Sequence, residues 1–117
     1  MTIGILVNVV FFFVMGVSAL VRPRSVVSFV QLVPGTADAR NEVRAVYGGF
    51  GIAVSALLVY AANDPDTRSG VLLAVAVALL GMALSRVVSL FIERPGKWPV
   101  MFMFMESALA GLLLWAR

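Results

Sequence analysis

Four long apolar stretches constrain this chain more than any other feature of its sequence. They cover about residues 2–21, 42–62, 69–92 and 98–116. Each is close to the roughly 20 residues that a helix needs to cross the hydrocarbon core of a bilayer. Helices are favoured there because they satisfy their own backbone hydrogen bonds, which lipid cannot do. The sequence therefore predicts an all-α integral membrane protein: a four-helix up-and-down bundle, forming one domain over residues 1–117.

The composition narrows the chemistry that such a bundle can carry. Only 13% of the residues are charged, against roughly 25% in a soluble domain, and 62% are hydrophobic. The chain has no cysteine and no histidine, the usual thiolate and imidazole ligands, so we expect no metal site and no cofactor. The net charge of +3 is interpreted as a signal of membrane orientation, and we expect no nucleic-acid partner.

The connection between the first two apolar stretches is much longer than the other two. Residues 22–41 contain Pro23 and the pair Pro34-Gly35, separated by apolar residues. The ten residues between these prolines are too few to span, so the connection is interpreted as a short interfacial or re-entrant segment, the alternative being an ordered surface loop at the headgroups. Residues 63–66 and 94–97 are tight turns, which make the helices on either side antiparallel.

Charge asymmetry predicts how the bundle is oriented. The side that holds the first and third connections carries five basic residues: Arg22, Arg24, Arg40, Arg94 and Lys97. The side that holds the termini carries Arg68 and Arg117, offset by Asp64 and Asp66. Because basic loops are retained in the cytoplasm, both termini are predicted to lie outside it.

Two charged residues lie deep inside apolar stretches. Each costs about 2.5–3.5 kcal/mol at the centre of a spanning helix and persists only when it is paired or solvated. Arg86 lies ten residues before Gly96 in the last turn, and Glu106 lies ten residues after it. In an antiparallel pair of helices they share one depth, so we predict an intramembrane ion pair, with Ser89 and Ser107 available to its remaining donors and acceptors.

A second polar group opens the second apolar stretch. At helical spacing, Arg44, Tyr47, Gly48 and Gly51 share one face, whereas Glu42 points elsewhere. The glycines would let a helix or a ligand approach the backbone closely. The sequence thus predicts a polar pocket with apolar walls, whose candidate ligand-binding residues are Arg44, Tyr47, Arg86, Glu106, Glu42 and Ser89. The alternative is a satisfied ion-pair network that only fixes the register of the bundle.

The chain also resembles a known family. The run Asn41-Glu42-Val43-Arg44-Ala45-Val46-Tyr47-Gly48-Gly49, together with Arg86 and Glu106, is similar to the small membrane family called domain of unknown function 4345. The resemblance covers the whole chain, and its most specific part is the Glu-x-Arg-x-x-Tyr-Gly-Gly pattern. It implies a bacterial four-helix protein of the inner membrane, distantly like the DoxX group, and it implies no catalytic role for any residue.

Three classes of function are compatible with these residues. The leading hypothesis is a binding protein for a membrane lipid or other lipophilic molecule with a polar or anionic group, which Arg44 and Arg86 would bind. The second is an acid–base enzyme, an isomerase, cyclase or hydrolase of a hydrophobic substrate, with Glu106 or Glu42 as proton donor. The third is a transporter, which would have to be a homo-oligomer to enclose a pathway, or a partner subunit of another protein.

Overall fold

The computed structural model describes residues 2–117 of the chain. Met1, with which the predicted single domain begins, lies outside the described residues. The helices are α1 (Ile3–Val21), α2 (Pro23–Ser28), α3 (Ala37–Val43), a π-helical turn (Arg44–Gly49), α4 (Phe50–Ala62), α5 (Pro65–Ile92) and α6 (Lys97–Ala116). The described residues form no strand, which confirms the predicted all-α class.

Four helices are long and apolar enough to cross a membrane. They are Ile3–Val21, Ala37–Ala62, Pro65–Ile92 and Lys97–Ala116, with 19, 26, 28 and 20 residues. The second combines α3, the π-helical turn and α4 into one continuous rod. The chain is therefore a multi-pass membrane protein, as its apolar stretches predicted.

The structure extends two of the predicted stretches toward the N-terminus. The second long helix begins at Ala37 rather than near residue 42, because the Thr36 side chain accepts a hydrogen bond from the Ala39 amide and caps it. The third begins at Pro65 rather than near residue 69, since proline is well suited to the first position of a helix. Hydropathy alone does not detect these polar first turns.

One apolar core holds the long helices together. α1 packs against α4 and α6, and α5 packs against the same two helices. The fully buried large side chains of this core are Ile5, Leu58, Leu72, Leu79 and Leu113. They come from all four long helices, so the core joins every one of them. Burying a leucine side chain stabilises a fold by about 1.5–3 kcal/mol in water, whereas in lipid close packing supplies most of the association.

The first connection folds back onto the end of α1. The second core cluster consists of Ala19 from α1, Val27 from α2 and Val43 from α3. α2 ends in a turn in which the Leu32 amide donates to the Val27 carbonyl and the Gln31 amide donates to the Ser28 carbonyl. This is a Schellman-type ending, and Gln31 adopts the left-handed conformation that it requires, with φ of 63°. The segment is thus held in a defined place beside α1.

Candidate functional site

The two deep charges of the last two helices are in direct contact. The Arg86 Nε donates to the Glu106 Oε1 at 2.7 Å, and the Arg86 Nη2 donates to the Glu106 Oε2 at 3.2 Å. Such a two-pronged contact matches the planar guanidinium to both carboxylate oxygens. The Glu106 side chain is only 6% exposed, whereas the Arg86 side chain is 32% exposed. The carboxylate thus lies inside the bundle, and the guanidinium reaches it from the edge.

Aromatic rings connect this ion pair to the first connection. The guanidinium carbon of Arg86 lies 5.5 Å from the centre of the Phe102 ring, within reach of a cation–π attraction. Phe102 lies beside Trp98, whose ring contacts Phe29 edge to face with centres 5.0 Å apart. The end of α2 is therefore packed on the first turn of α6.

Ser89 and Ser107 do not join the ion pair by any hydrogen bond in the described residues. The Ser107 hydroxyl donates instead to the Met103 carbonyl of its own helix at 2.9 Å. Ser89 is exposed, and its carbonyl accepts the Glu93 amide. The remaining Arg86 donors thus have no serine partner, contrary to the expectation from the sequence, because both serines lie on the outer surfaces of their helices.

Two of the glycines after Tyr47, Gly48 and Gly51, are covered by α1, whereas Gly49 is exposed. A Cβ added to Gly51 would lie 2.7 Å from the Phe12 carbonyl oxygen, and one added to Gly48 would lie 2.9 Å from the Leu20 side chain. On α1 itself, a Cβ at Gly16 would lie 2.7 Å from the Gly48 carbonyl oxygen. These glycines therefore permit a close contact between two helices. The sequence had left open whether a helix or a ligand would approach the backbone there.

The π-helical turn alters the helical face on which the sequence placed Arg44, Tyr47 and Gly48 together. Its hydrogen bonds widen the helix from Arg44 to Gly49, so the spacings assumed for an α-helix do not hold there. Gly48 is buried against α1, whereas Tyr47 is 36% exposed. The Arg44 Nε reaches the Leu20 carbonyl of α1 at 3.3 Å. Arg44 thus lies beside the end of α1.

Four arginines line one groove at that end of α1. Arg22, Arg24, Arg40 and Arg44 surround a volume of 380 Å³, together with Val21, Pro23 and Ser25. The Arg40 Nη1 donates to the Pro34 carbonyl at 3.3 Å, so two of the four guanidinium groups are anchored by backbone oxygens. In residues 2–117, the one ion pair with a nitrogen–oxygen distance within 4.0 Å is that of Arg86 and Glu106. No described carboxylate therefore neutralises the arginine groove at that distance.

A second groove adjoins the arginine groove. It has a volume of 470 Å³ and lies between α1 and α2, where Val17, Val26 and Phe29 give it an apolar lining. Val21, Arg22 and Ser25 line both grooves. We call this second volume the α1–α2 groove. The two grooves therefore lie side by side at the end of α1, one mainly polar and the other mainly apolar.

The predicted site residues fall into separate groups. Arg86 and Glu106 contact each other, and no hydrogen bond or ion pair in the described residues joins them to Arg44, Tyr47, Glu42 or Ser89. Glu42 is exposed on α3. Asn8 is fully buried and donates to the Gly4 and Leu109 carbonyls, so it bonds α1 to α6. Its Oδ1 has no partner.

Three of the groove arginines were not predicted as site residues. Arg22, Arg24 and Arg40 were used only to orient the bundle, although they lie in the one long connection. The sequence feature that could have identified them is the concentration of arginine in that connection. Sequence reasoning missed it because the folding of the connection onto α1 brings together residues up to 22 positions apart.

Comparisons with known proteins agree with the resemblance seen in the sequence. The model of the family described as "Domain of unknown function (DUF4345)" matches residues 1–117. No curated protein and no solved structure matches the chain significantly. Since the match covers the chain from end to end, this four-span membrane protein belongs to the DUF4345 family.

Proposed function

We propose that this protein binds a lipophilic molecule through an anionic group, and that the arginine groove holds that group. The observation that carries the proposal is the convergence of Arg22, Arg24, Arg40 and Arg44 on one volume, without a carboxylate at ion-pair distance in residues 2–117. Uncompensated guanidinium groups repel each other, and an anion that accepts their hydrogen bonds relieves that repulsion. Of the two arginines that the sequence predicted to bind the ligand, Arg44 keeps that role in this proposal. Arg22, Arg24 and Arg40 take the place of Arg86.

The Arg86–Glu106 pair has a structural role in this proposal. Both carboxylate oxygens already accept bonds from Arg86, so the charge of that arginine is matched within the protein. The pair fixes the register of α5 and α6 in an up-and-down bundle. The acid–base enzyme and the oligomeric transporter stay predictions, and no contact of Glu106 or Glu42 favours either over binding.

The proposed orientation places the arginine groove at a cytoplasmic surface. The first and third connections carry most of the basic residues, and basic loops stay in the cytoplasm. The termini would then lie on the far side of a bacterial inner membrane. An arginine-lined groove at a headgroup layer lies where anionic groups of lipids are found.

Substitution of Arg24 tests this function. Arg24 is exposed, lines the groove and makes no side-chain hydrogen bond in the described residues, so Arg24→Gln removes a charge without breaking an internal contact. We expect binding of an anionic amphiphile, measured with the purified protein in neutral detergent, to weaken by about tenfold, or about 1.4 kcal/mol. Neutral amphiphiles should bind no differently.

Arg94→Gln is the matched control. Arg94 is exposed on the last connection, outside the groove, and its loss changes the net charge equally. It should leave the affinity within about twofold of wild type, because an exposed charge that does not line the groove makes no direct contact with the bound anion. Equal losses in both variants would show a general charge effect and would refute the site.

A further inference from the structure

We infer that the ligand is a lipid phosphomonoester, whose phosphate binds in the arginine groove and whose acyl chain lies in the α1–α2 groove. This inference rests on the proposed function and specifies its ligand. Its starting point is that the two grooves lie side by side and share Val21, Arg22 and Ser25 as lining residues. The first groove is lined mainly by arginines and the second mainly by apolar side chains. A molecule that fills both must itself have a charged end and an apolar end.

The position of the α1–α2 groove suits an acyl chain. Val17 lines this groove, whereas the arginine groove reaches α1 only at its end, Val21. Four residues of helix correspond to about 6 Å, so the apolar compartment extends about one turn farther along α1 toward the middle of that span. A chain attached to a headgroup among the arginines would therefore follow α1 into the hydrocarbon layer.

The size of the two compartments agrees with a lipid-sized ligand. They are open depressions of 380 and 470 Å³ on the protein surface, large enough for a headgroup and part of an acyl chain, with one side of the ligand left facing lipid or water. The second core cluster, formed by Ala19, Val27 and Val43, holds α2 and α3 against α1. Both grooves are thus built from elements that pack together without the ligand.

The charge of the surrounding segment matches a dianion. Residues 22–44 contain the four arginines together with Asp38 and Glu42, which gives +4 − 2 = +2. A phosphomonoester carries about −1.5 to −2 charges at neutral pH, and a phosphodiester or a carboxylate carries about −1. Of these groups, the phosphomonoester comes nearest to neutralising the segment.

The anchored arginines can also accommodate phosphate geometry. Arg44 uses its Nε on the Leu20 carbonyl, and Arg40 uses its Nη1 on the Pro34 carbonyl. Each guanidinium has five N–H donors, so most donors remain for a ligand. Three terminal phosphate oxygens can accept bonds from several arginines at once, which a carboxylate with two oxygens does less well.

The first experiment compares headgroups on one acyl chain. Lysophosphatidic acid and lysophosphatidylglycerol of equal chain length are bound to the full protein in neutral detergent. We expect the phosphomonoester to bind at least about tenfold tighter at pH 8, and the preference to shrink at pH 5, below its second pKa of about 6, since arginine stays charged. Equal affinities that still fall in Arg24→Gln would overturn the phosphomonoester and leave the proposed function standing. Failure of both lipids to bind would refute both.

The second experiment separates the chain from the headgroup. Val17→Trp fills the α1–α2 groove, whereas Val10→Trp places the same side chain at an exposed position of α1 that lines neither groove. We expect only Val17→Trp to weaken lysophosphatidic acid, by about tenfold. Glycerol 3-phosphate, which has the phosphate and no chain, should bind at least about tenfold more weakly than the lipid to wild type. Equal binding of glycerol 3-phosphate and the lipid would refute the acyl-chain site.

Discussion

The ion pair between α5 and α6 makes a quantitative prediction, because its two members are buried to different extents. Three variants test it: Arg86→Met and Glu106→Met each replace one charge by an apolar side chain, and the double variant replaces both. Arg86→Met strands a carboxylate that is 6% exposed, whereas Glu106→Met strands a guanidinium that is 32% exposed. The two single variants should therefore differ in stability, although they break the same contact.

The expected magnitudes follow from that difference. Removing one partner of a buried pair costs about 3–5 kcal/mol, which we assign to Arg86→Met because it leaves the nearly buried Glu106 carboxylate without a partner. In Glu106→Met, the Arg86 side chain can extend along its aliphatic stem toward a polar layer, so we expect about 2 kcal/mol. The double variant leaves no uncompensated charge and should cost about 1 kcal/mol or less. The sum of the two single costs should then exceed the double cost by about 4 kcal/mol or more.

Unfolding of the purified protein in mixed micelles, followed by helix content as denaturing detergent is added, measures these free energies. Val88→Met, an exposed position on α5, is a control for the introduction of methionine. A double variant that costs the sum of the two single variants would show that the residues do not interact. Equal costs for the two single variants would refute the argument from burial.

Two further substitutions test the packing of α1 and of the first connection. Gly16→Ala should destabilise the fold by about 1–3 kcal/mol, because its Cβ would lie 2.7 Å from the Gly48 carbonyl oxygen and the Ile52 amide nitrogen. The control Gly81→Ala should not, because a Cβ there would have no atom within 4 Å. Equal unfolding free energies of the two variants in the same assay would contradict the close contact. Gln31→Gly should stabilise the end of α2 by about 1 kcal/mol, because glycine adopts a positive φ without the cost paid by glutamine. Slower proteolysis of the connection would support this, and unchanged or faster cleavage would contradict it.

The number of spanning helices could be predicted from sequence because it depends on local hydropathy. A stretch of about 20 apolar residues has few alternatives to a helix once it lies in lipid. The contact of Arg86 with Glu106 was also predictable, since both lie ten residues from Gly96 and a tight turn leaves little freedom in register. In both cases the information lies within a short segment of chain.

The close approach at Gly48 and Gly51 was predictable only in part. The absence of side chains indicated that something could lie against the backbone, and the tertiary structure identified it as Gly16 and Phe12 of α1. The π-helical turn from Arg44 to Gly49 had no signature in the spacing of residues. In the structure Gly48 and Gly51 are buried, whereas Tyr47 is 36% exposed.

The sequence by itself determined that the chain is a four-span membrane helical protein and that two opposite charges meet between its last helices. Only the tertiary structure decided that Arg22, Arg24, Arg40 and Arg44 line one groove. The physical reason is that the first connection is long, and a long connection has many conformations of similar local energy. Packing of Val27 and Val43 against Ala19 selects one of them, and that selection brings the arginines together.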